Sequence, residues 1–292
     1  MSRPQHSLAF LITVFWTLGL LLLGSIVHAT ESSLACPDWP TCNGTLVPEM
    51  TGGVFWEHLH RLVAGGLIVF FFAATYLVWK EKSPFRWILW ASWVGIGLLL
   101  VQAVLGGITV LFLLPDAIST SHLGLAFFFL GLTTVLAVVS SPSWNQGLGP
   151  ATPVRRTLRT SVIVAWALAF GQSLVGAAVR HTEAGMACPD VPLCLGEWIP
   201  PFSHPIVVLH FGHRLLGLVV WGAVLWVGHM AFWRGGSPRV RLLGSAAALV
   251  TTAQVMVGFL SVYVRLDVVP VSLHTLLAAT LVSLLAALAA LT

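Results

Sequence analysis

Two short stretches concentrate the ionisable side chains of this sequence. The first is Trp56-Glu57-His58-Leu59-His60-Arg61-Leu62, and the second is His210-Phe211-Gly212-His213-Arg214-Leu215. Each heads a long apolar run, and a later apolar run in each half carries one more histidine, His122 and His274. Ionisable groups at the mouth of a membrane helix are costly unless paired, wet or liganded, so all of these are candidate site residues. Two histidines on separate helices at similar depth could grip a flat ring from opposite faces. Iron in a porphyrin takes axial ligands of that kind, and facing helices of a bundle are where such sites are built. Taken singly, each histidine is equally well an interfacial side chain with no metal. Four in repeated positions argue against that, and structural zinc would want four clustered ligands.

Three residues before each liganding histidine the two stretches differ, with Glu57 in one and His210 in the other. That spacing places the earlier residue on nearly the same helix face as the ligand. Glu57 is thus set to handle protons near a ring held by His60, or it is a helix-start acid favoured by the helix dipole. Of two halves that divide labour, the one with the carboxylate is the reactive one. Arg61 and Arg214 follow the histidines directly and suit forked hydrogen bonds to anionic groups such as haem propionates. The alternative for both is snorkelling toward lipid phosphates.

The elements that must position these groups are membrane helices. Hydrophobic residues make up 57% of the 292 and charged residues 8%, against about 25% charged in soluble domains. Mean hydropathy is +0.92. A net charge of +4 from basic residues scattered through short loops excludes a nucleic-acid surface and reports orientation instead. Windows of about twenty apolar residues predict eight spans, at 8–28, 56–79, 86–110, 121–140, 160–180, 205–230, 241–263 and 271–291. The first is read as a retained helix rather than a signal peptide, because it is long enough to span and no small-residue cleavage site follows. Continuous rather than alternating hydrophobicity excludes a barrel. Arg3, Lys80, Lys82, Arg86, Arg155, Arg156, Arg159, Arg234, Arg239 and Arg241 fall in one set of loops, while the other set is acidic. The bias puts both termini in the cytoplasm and the cysteine-containing loops outside a cell membrane.

The chain also repeats. Ala35-Cys36-Pro37-Asp38 returns as Ala187-Cys188-Pro189-Asp190, and the same offset of 152 maps Cys42 onto Cys194, Gly24 onto Gly176, Gln102 onto Gln254, Gly106 onto Gly258 and His122 onto His274. One extra residue shifts His60-Arg61 onto His213-Arg214. The expected fold is therefore an all-α integral membrane protein of two tandem four-helix bundles, 1–145 and 146–292. An even number of spans per repeat implies a pseudo-twofold axis along the membrane normal. Cys36 and Cys42, like Cys188 and Cys194, bracket a tight proline-containing loop in a compartment that permits disulfides, so pairing within each loop is expected. Such a bridge either orders the loop as a lid or exchanges electrons with a partner.

With these motifs in place, the chain resembles the haem A synthase family over essentially its whole length. The resemblance rests on Glu57-His58-Leu59-His60-Arg61, His122, the two cysteine loops, His210-Phe211-Gly212-His213-Arg214 and His274. It implies a membrane oxidoreductase that converts haem O to haem A for haem–copper oxidases, by two hydroxylations of the C8 methyl and loss of water from the resulting diol. It assigns His213 and His274 to a haem b cofactor, His60 and His122 to the haem O site, and Glu57 to a catalytic or supporting role. Haem O synthase (the protohaem farnesyltransferase) and oxidase assembly proteins are the implied partners, beside the lipid bilayer, with self-association through Gly- and Ala-rich faces left open. The competing readings are a di-haem electron-transfer cytochrome and a non-catalytic haem carrier.

Overall fold

The computed structural model describes residues 4–83, 85–142, 144 and 153–292, with 153 and 154 described by backbone alone. Arg3 and the expected boundary between the halves at 145/146 lie outside the described residues. Eight long helices follow one another: α1 (Gln5–Ala29), α2 (Gly52–Lys80), α3 (Arg86–Leu111), α4 (Asp116–Val139), α5 (Pro153–His181), α6 (Pro205–Arg234), α7 (Pro238–Tyr263) and α8 (Val268–Leu291). All eight are long and apolar enough to cross a membrane. The protein is accordingly an all-α, multi-pass membrane protein.

The helices outrun the predicted apolar windows at their polar ends, because a backbone can stay helical through the headgroup region after hydrophobicity has stopped. The difference matters most at α2. It begins at Gly52, four residues before the predicted 56, and has no acidic residue in its first turn. Glu57 therefore lies in the second turn, which removes its reading as a helix-start acid.

Each of α1 to α3 packs on its successor and α4 closes back on α1. Helices α5 to α8 repeat the circuit, with α8 closing on α5. The two circuits meet where α4 touches α5 and α8, and where α1 touches α8. α4, which lies at the meeting of the two circuits, is the most buried span, at 56% of its apolar window, against 17% for α7. Inside the second circuit α6 and α7 approach through small residues: a Cβ on Gly228 would stand 2.9 Å from that of Ala248. Close backbone approach of this kind drives helix association where lipid offers no hydrophobic force.

The repeat extends to the backbone of the loops. Left-handed residues occur in pairs at the same offset of 152, Glu31 with Glu183, Asn43 with Leu195, Leu113 with Arg265 and Leu114 with Leu266. Trp39-Pro40 and Val191-Pro192 are both cis. By connectivity the loops after α1, α3, α5 and α7 share one end of the molecule, so both cysteine loops lie at the same end.

Candidate functional site

All four histidines of the repeat rest on glycines of neighbouring helices. A Cβ on Gly24 would come within 3.1 Å of His60 Cε1, on Gly106 within 3.2 Å of His122 Cε1, on Gly176 within 2.9 Å of His213 Cε1, and on Gly258 within 2.8 Å of His274 Cε1. These are the glycines that the repeat pairs. Their spacing is visible in the sequence, and the structure supplies its reason, which is room for an imidazole where any side chain would collide.

His213 and His274 face one another with ring centroids 6.5 Å apart and planes at 68°. Imidazole nitrogen binds first-row metals at about 2.0–2.1 Å, so two rings across one ion stand with centroids roughly 6 Å apart. The pair thus fits axial ligation of a single iron. Nδ1 of His60, His122 and His274 is sealed from solvent with no partner among the described residues, and a buried polar atom left unpaired calls for an explanation such as a bound ligand. Three glutamines attend the histidines. Gln172 Nε2 lies 3.0 Å from His213 Nδ1 and donates to its carbonyl at 2.8 Å, Gln102 Nε2 donates to the His122 carbonyl at 2.8 Å, and Gln254 Nε2 lies 3.2 Å from His274 Nε2. Gln102 and Gln254 are visible in the repeat. Gln172 has no counterpart there, since the offset lands on Leu20, and sequence comparison of the halves passes it over.

Cys36 is bonded to Cys42, and Cys188 to Cys194. Each bridged loop is tied to the helix below it by the arginine that follows His60 or His213. Arg61 donates to the carbonyls of Asp38 (2.7 Å), Thr41 (2.6 Å) and Cys36 (3.0 Å). Arg214 repeats this pattern at the carbonyls of Asp190 (2.9 Å), Leu193 (2.9 Å) and Cys188 (2.5 Å). The sequence reading set these guanidinium groups toward haem propionates. Here most of their donors are spent on the loops.

Glu57 completes the first clamp. Its Oε1 accepts from Arg61 at 2.5 Å and its Oε2 from the Cys36 N–H at 2.8 Å, with the carboxylate buried. In the second half His210 stands in its place, meeting the Ala184 carbonyl at 2.8 Å and the Arg214 Nε at 3.2 Å. Arg61→Met would leave the buried Glu57 carboxylate without its cation, a loss of roughly 3–5 kcal/mol. Arg214→Met strands only hydrogen-bonding groups, about 1–3 kcal/mol. Thermal unfolding in detergent should rank Arg61→Met well below Arg214→Met, and equal melting points would contradict the asymmetry.

His58 is buried against the first disulfide, with a ring nitrogen and both sulfurs within 4.8 Å of one another. Thiolate is the form of cysteine that binds metal, and bonded sulfurs are not thiolates, so this cluster is no metal centre while the bridge stands. The second loop packs instead on Phe211. Within the first loop Asp38 accepts from the Thr41 hydroxyl and from the N–H groups of Gly44 (2.9 Å) and Asn43 (2.6 Å). Thr41 first, then Gly44, hold its carboxyl below the usual carboxylate range, against a smaller opposing effect of burial. A folded-state pKa that is depressed stabilises the loop above the unfolded value of about 3.9 and loses that contribution as pH falls through the folded one. Proteolysis of loop 36–44 should therefore be flat from neutrality down to about pH 4 and rise only below it, with the rise abolished in Asp38→Asn.

Eight apolar helices, imidazoles seated on glycines of neighbouring helices and disulfide-bridged loops clamped above them define a multi-pass membrane protein with a duplicated histidine frame. The profile of the COX15-CtaA family, described as cytochrome oxidase assembly protein, matches residues 8–53 and 49–286. The chain belongs to this family. It is 28% identical over 278 residues to the haem A synthase of Lysinibacillus sphaericus, covering 92% of this chain and 90% of that one. It is 32% identical over 286 residues to the haem A synthase of Symbiobacterium thermophilum, covering 92% and 87%.

Proposed function

We propose that this protein is a haem A synthase, an oxidoreductase that converts the C8 methyl of haem O to a formyl group. The observation that carries the reading is the duplicated histidine frame with a carboxylate, Glu57, in one copy and His210 in the other. Family membership and the names of the relatives point the same way. In this reading the halves, 1–145 and 146–292, are four-helix bundles related by a pseudo-twofold axis along the membrane normal. The matching helix circuits and loop conformations support that arrangement. Both termini are cytoplasmic and the bridged loops lie outside a cell membrane, as the loop charges imply.

His213 and His274 hold haem b in the C-terminal half, their spacing fitting axial ligation. When bound, that group supplies one-electron transfer, and the protein tunes and positions it. His60 and His122 orient haem O, the substrate, in the N-terminal half. Glu57 manages protons beside it, while Arg61 and the Cys36–Cys42 loop cover the site and limit water. The net change from methyl to formyl is a four-electron oxidation; written with water as the oxygen source it releases four protons and four electrons to an external electron acceptor, and the haem of the second half would carry electrons between the site and that acceptor. Haem O synthase and the assembly proteins of haem–copper oxidases are the partners this chemistry implies, and the small-residue faces suit self-association.

The test is chemical. Pigment extracted from purified protein before and after addition of haem O, identified by mass, should contain haem A only after addition. Recovery of unaltered haem O beside a bis-imidazole haem would overturn the enzyme reading in favour of a di-haem cytochrome, and recovery of haem O alone in favour of a carrier.

A further inference from the structure

Arg180, one residue from the end of α5, sits at the seam between the two helix circuits. Its NH1 donates to Ser25 Oγ at 2.9 Å and its NH2 to the Ser25 carbonyl at 2.9 Å, both on α1. Ser25 Oγ in turn donates to Thr275 Oγ1 on α8 at 3.1 Å. Nε of Arg180 is sealed from solvent and has no acceptor among the described residues. Among the described residues no carboxylate comes within ion-pair distance of it. Two imidazoles, His28 and His181, lie at this end of α1 and α5, their ring centroids 5.3 Å apart and their planes tilted by 39°. An arginine at the end of a membrane helix whose partners among the described residues are one hydroxyl and one carbonyl is a cation without its anion, and such residues mark ligand sites.

The surroundings say which ligand. Arg180 lies one turn above Gly176, on the same helix face, and Gly176 is the seat of His213. Thr275, the far end of the polar chain, adjoins His274 in sequence. The cation thus lies one helix turn along α5 from the seat of His213 and is joined through Ser25 to the residue that follows His274. The two arginines that the sequence sets against propionates are occupied by loop carbonyls, as described above. The repeat offset puts His28 where α5 has Arg180, so this fixed cation occurs once.

We propose that Arg180 is the receptor for a propionate of the haem held by His213 and His274, with Ser25 of the other half holding the guanidinium in place. The inference rests on the haem b reading above. It makes the cofactor's carboxylate edge a bond across the seam, so that loading the second half tightens its union with the first.

The experiment uses apoprotein reconstituted with protohaem or with protohaem dimethyl ester, whose propionates carry no charge. Affinity is read by titration of the low-spin bis-imidazole absorbance. The ester should bind the parent about ten- to a hundredfold more weakly than protohaem, the range for a charge-assisted hydrogen bond in a sheltered site. Arg180→Met should bind both forms equally, at the level of the ester in the parent. Arg180→Lys should recover part of the preference, and Arg214→Met should keep all of it. The haem midpoint potential should fall in Arg180→Met, because a nearby cation favours the reduced form. An ester penalty of the same size in Arg180→Met and the parent would overturn the proposal, as would a penalty lost in Arg214→Met instead. Absence of any bis-imidazole spectrum in the parent would remove the haem b reading itself, and this inference with it. An ester penalty of the expected size in the parent keeps the test meaningful if Arg180→Met does not fold, because Arg180→Lys then carries the comparison.

Discussion

His213→Ala is expected to abolish the low-spin haem signal of the purified protein. The ring of His213 is one of two that face each other at 6.5 Å, and alanine would leave His274 alone to hold a haem iron. Loss of an outer-shell contact alone costs roughly 10- to 100-fold in metal affinity, so removal of a ligand should exceed that and leave substoichiometric, high-spin pigment. The neighbours set a graded series below it. Gln172→Leu removes the amide 3.0 Å from His213 Nδ1 and should fall within the outer-shell range. Gly176→Ala brings a methyl to 2.9 Å from Cε1, so the ring must turn away, and retention should again drop without vanishing. Pyridine haemochrome stoichiometry and the low-spin spectrum read all three. A full complement of low-spin haem in His213→Ala would refute the assignment of this ligand.

Glu57→Gln should leave that haem in place and eliminate haem A formation. Glutamine is nearly isosteric, but Glu57 uses both oxygens as acceptors, one for Arg61 and one for the Cys36 N–H. The amide nitrogen would face one of those donors without a lone pair to offer. The site also loses the negative charge that faces Arg61 and the group proposed to manage protons beside the methyl. General acid–base groups contribute about 10²- to 10⁴-fold, which places the variant at or below detection in a pigment assay. A merely structural carboxylate predicts something else, a loosened loop with product still formed. Proteolysis of loop 36–44 alongside product yield separates the two. Haem A at the parental level in Glu57→Gln would end the catalytic assignment, and lost product with an intact loop supports it.

Part of this architecture is carried by local pattern. Eight apolar stretches of sufficient length can satisfy their backbones in lipid only as helices, and eight helices are found where the stretches lie. The offset that pairs Cys36 with Cys188 and Gly24 with Gly176 is likewise readable, because a duplicated chain keeps its special residues in order. Disulfide pairing within each loop follows from proximity along the chain, which sequence reports directly.

What the sequence could not decide is where long side chains spend their hydrogen bonds. Arg61 and Arg214 follow liganding histidines, and spacing alone cannot distinguish a guanidinium aimed at a ligand from one folded back on a loop more than twenty residues away. The four-residue extension of α2 at its polar end, which carries Glu57 past the first turn, escapes a hydropathy window for the same reason: headgroup-level helix is not apolar. Arg180 meets Ser25 across 155 positions, and Ser25 meets Thr275 across 250. Composition and repeat thus determined the spans, their duplication and the inventory of candidate site residues. Packing of α1 against α8, and of α4 against α5 and α8, decided which of those residues meet, because contacts between distant segments exist only once the helices have chosen their neighbours.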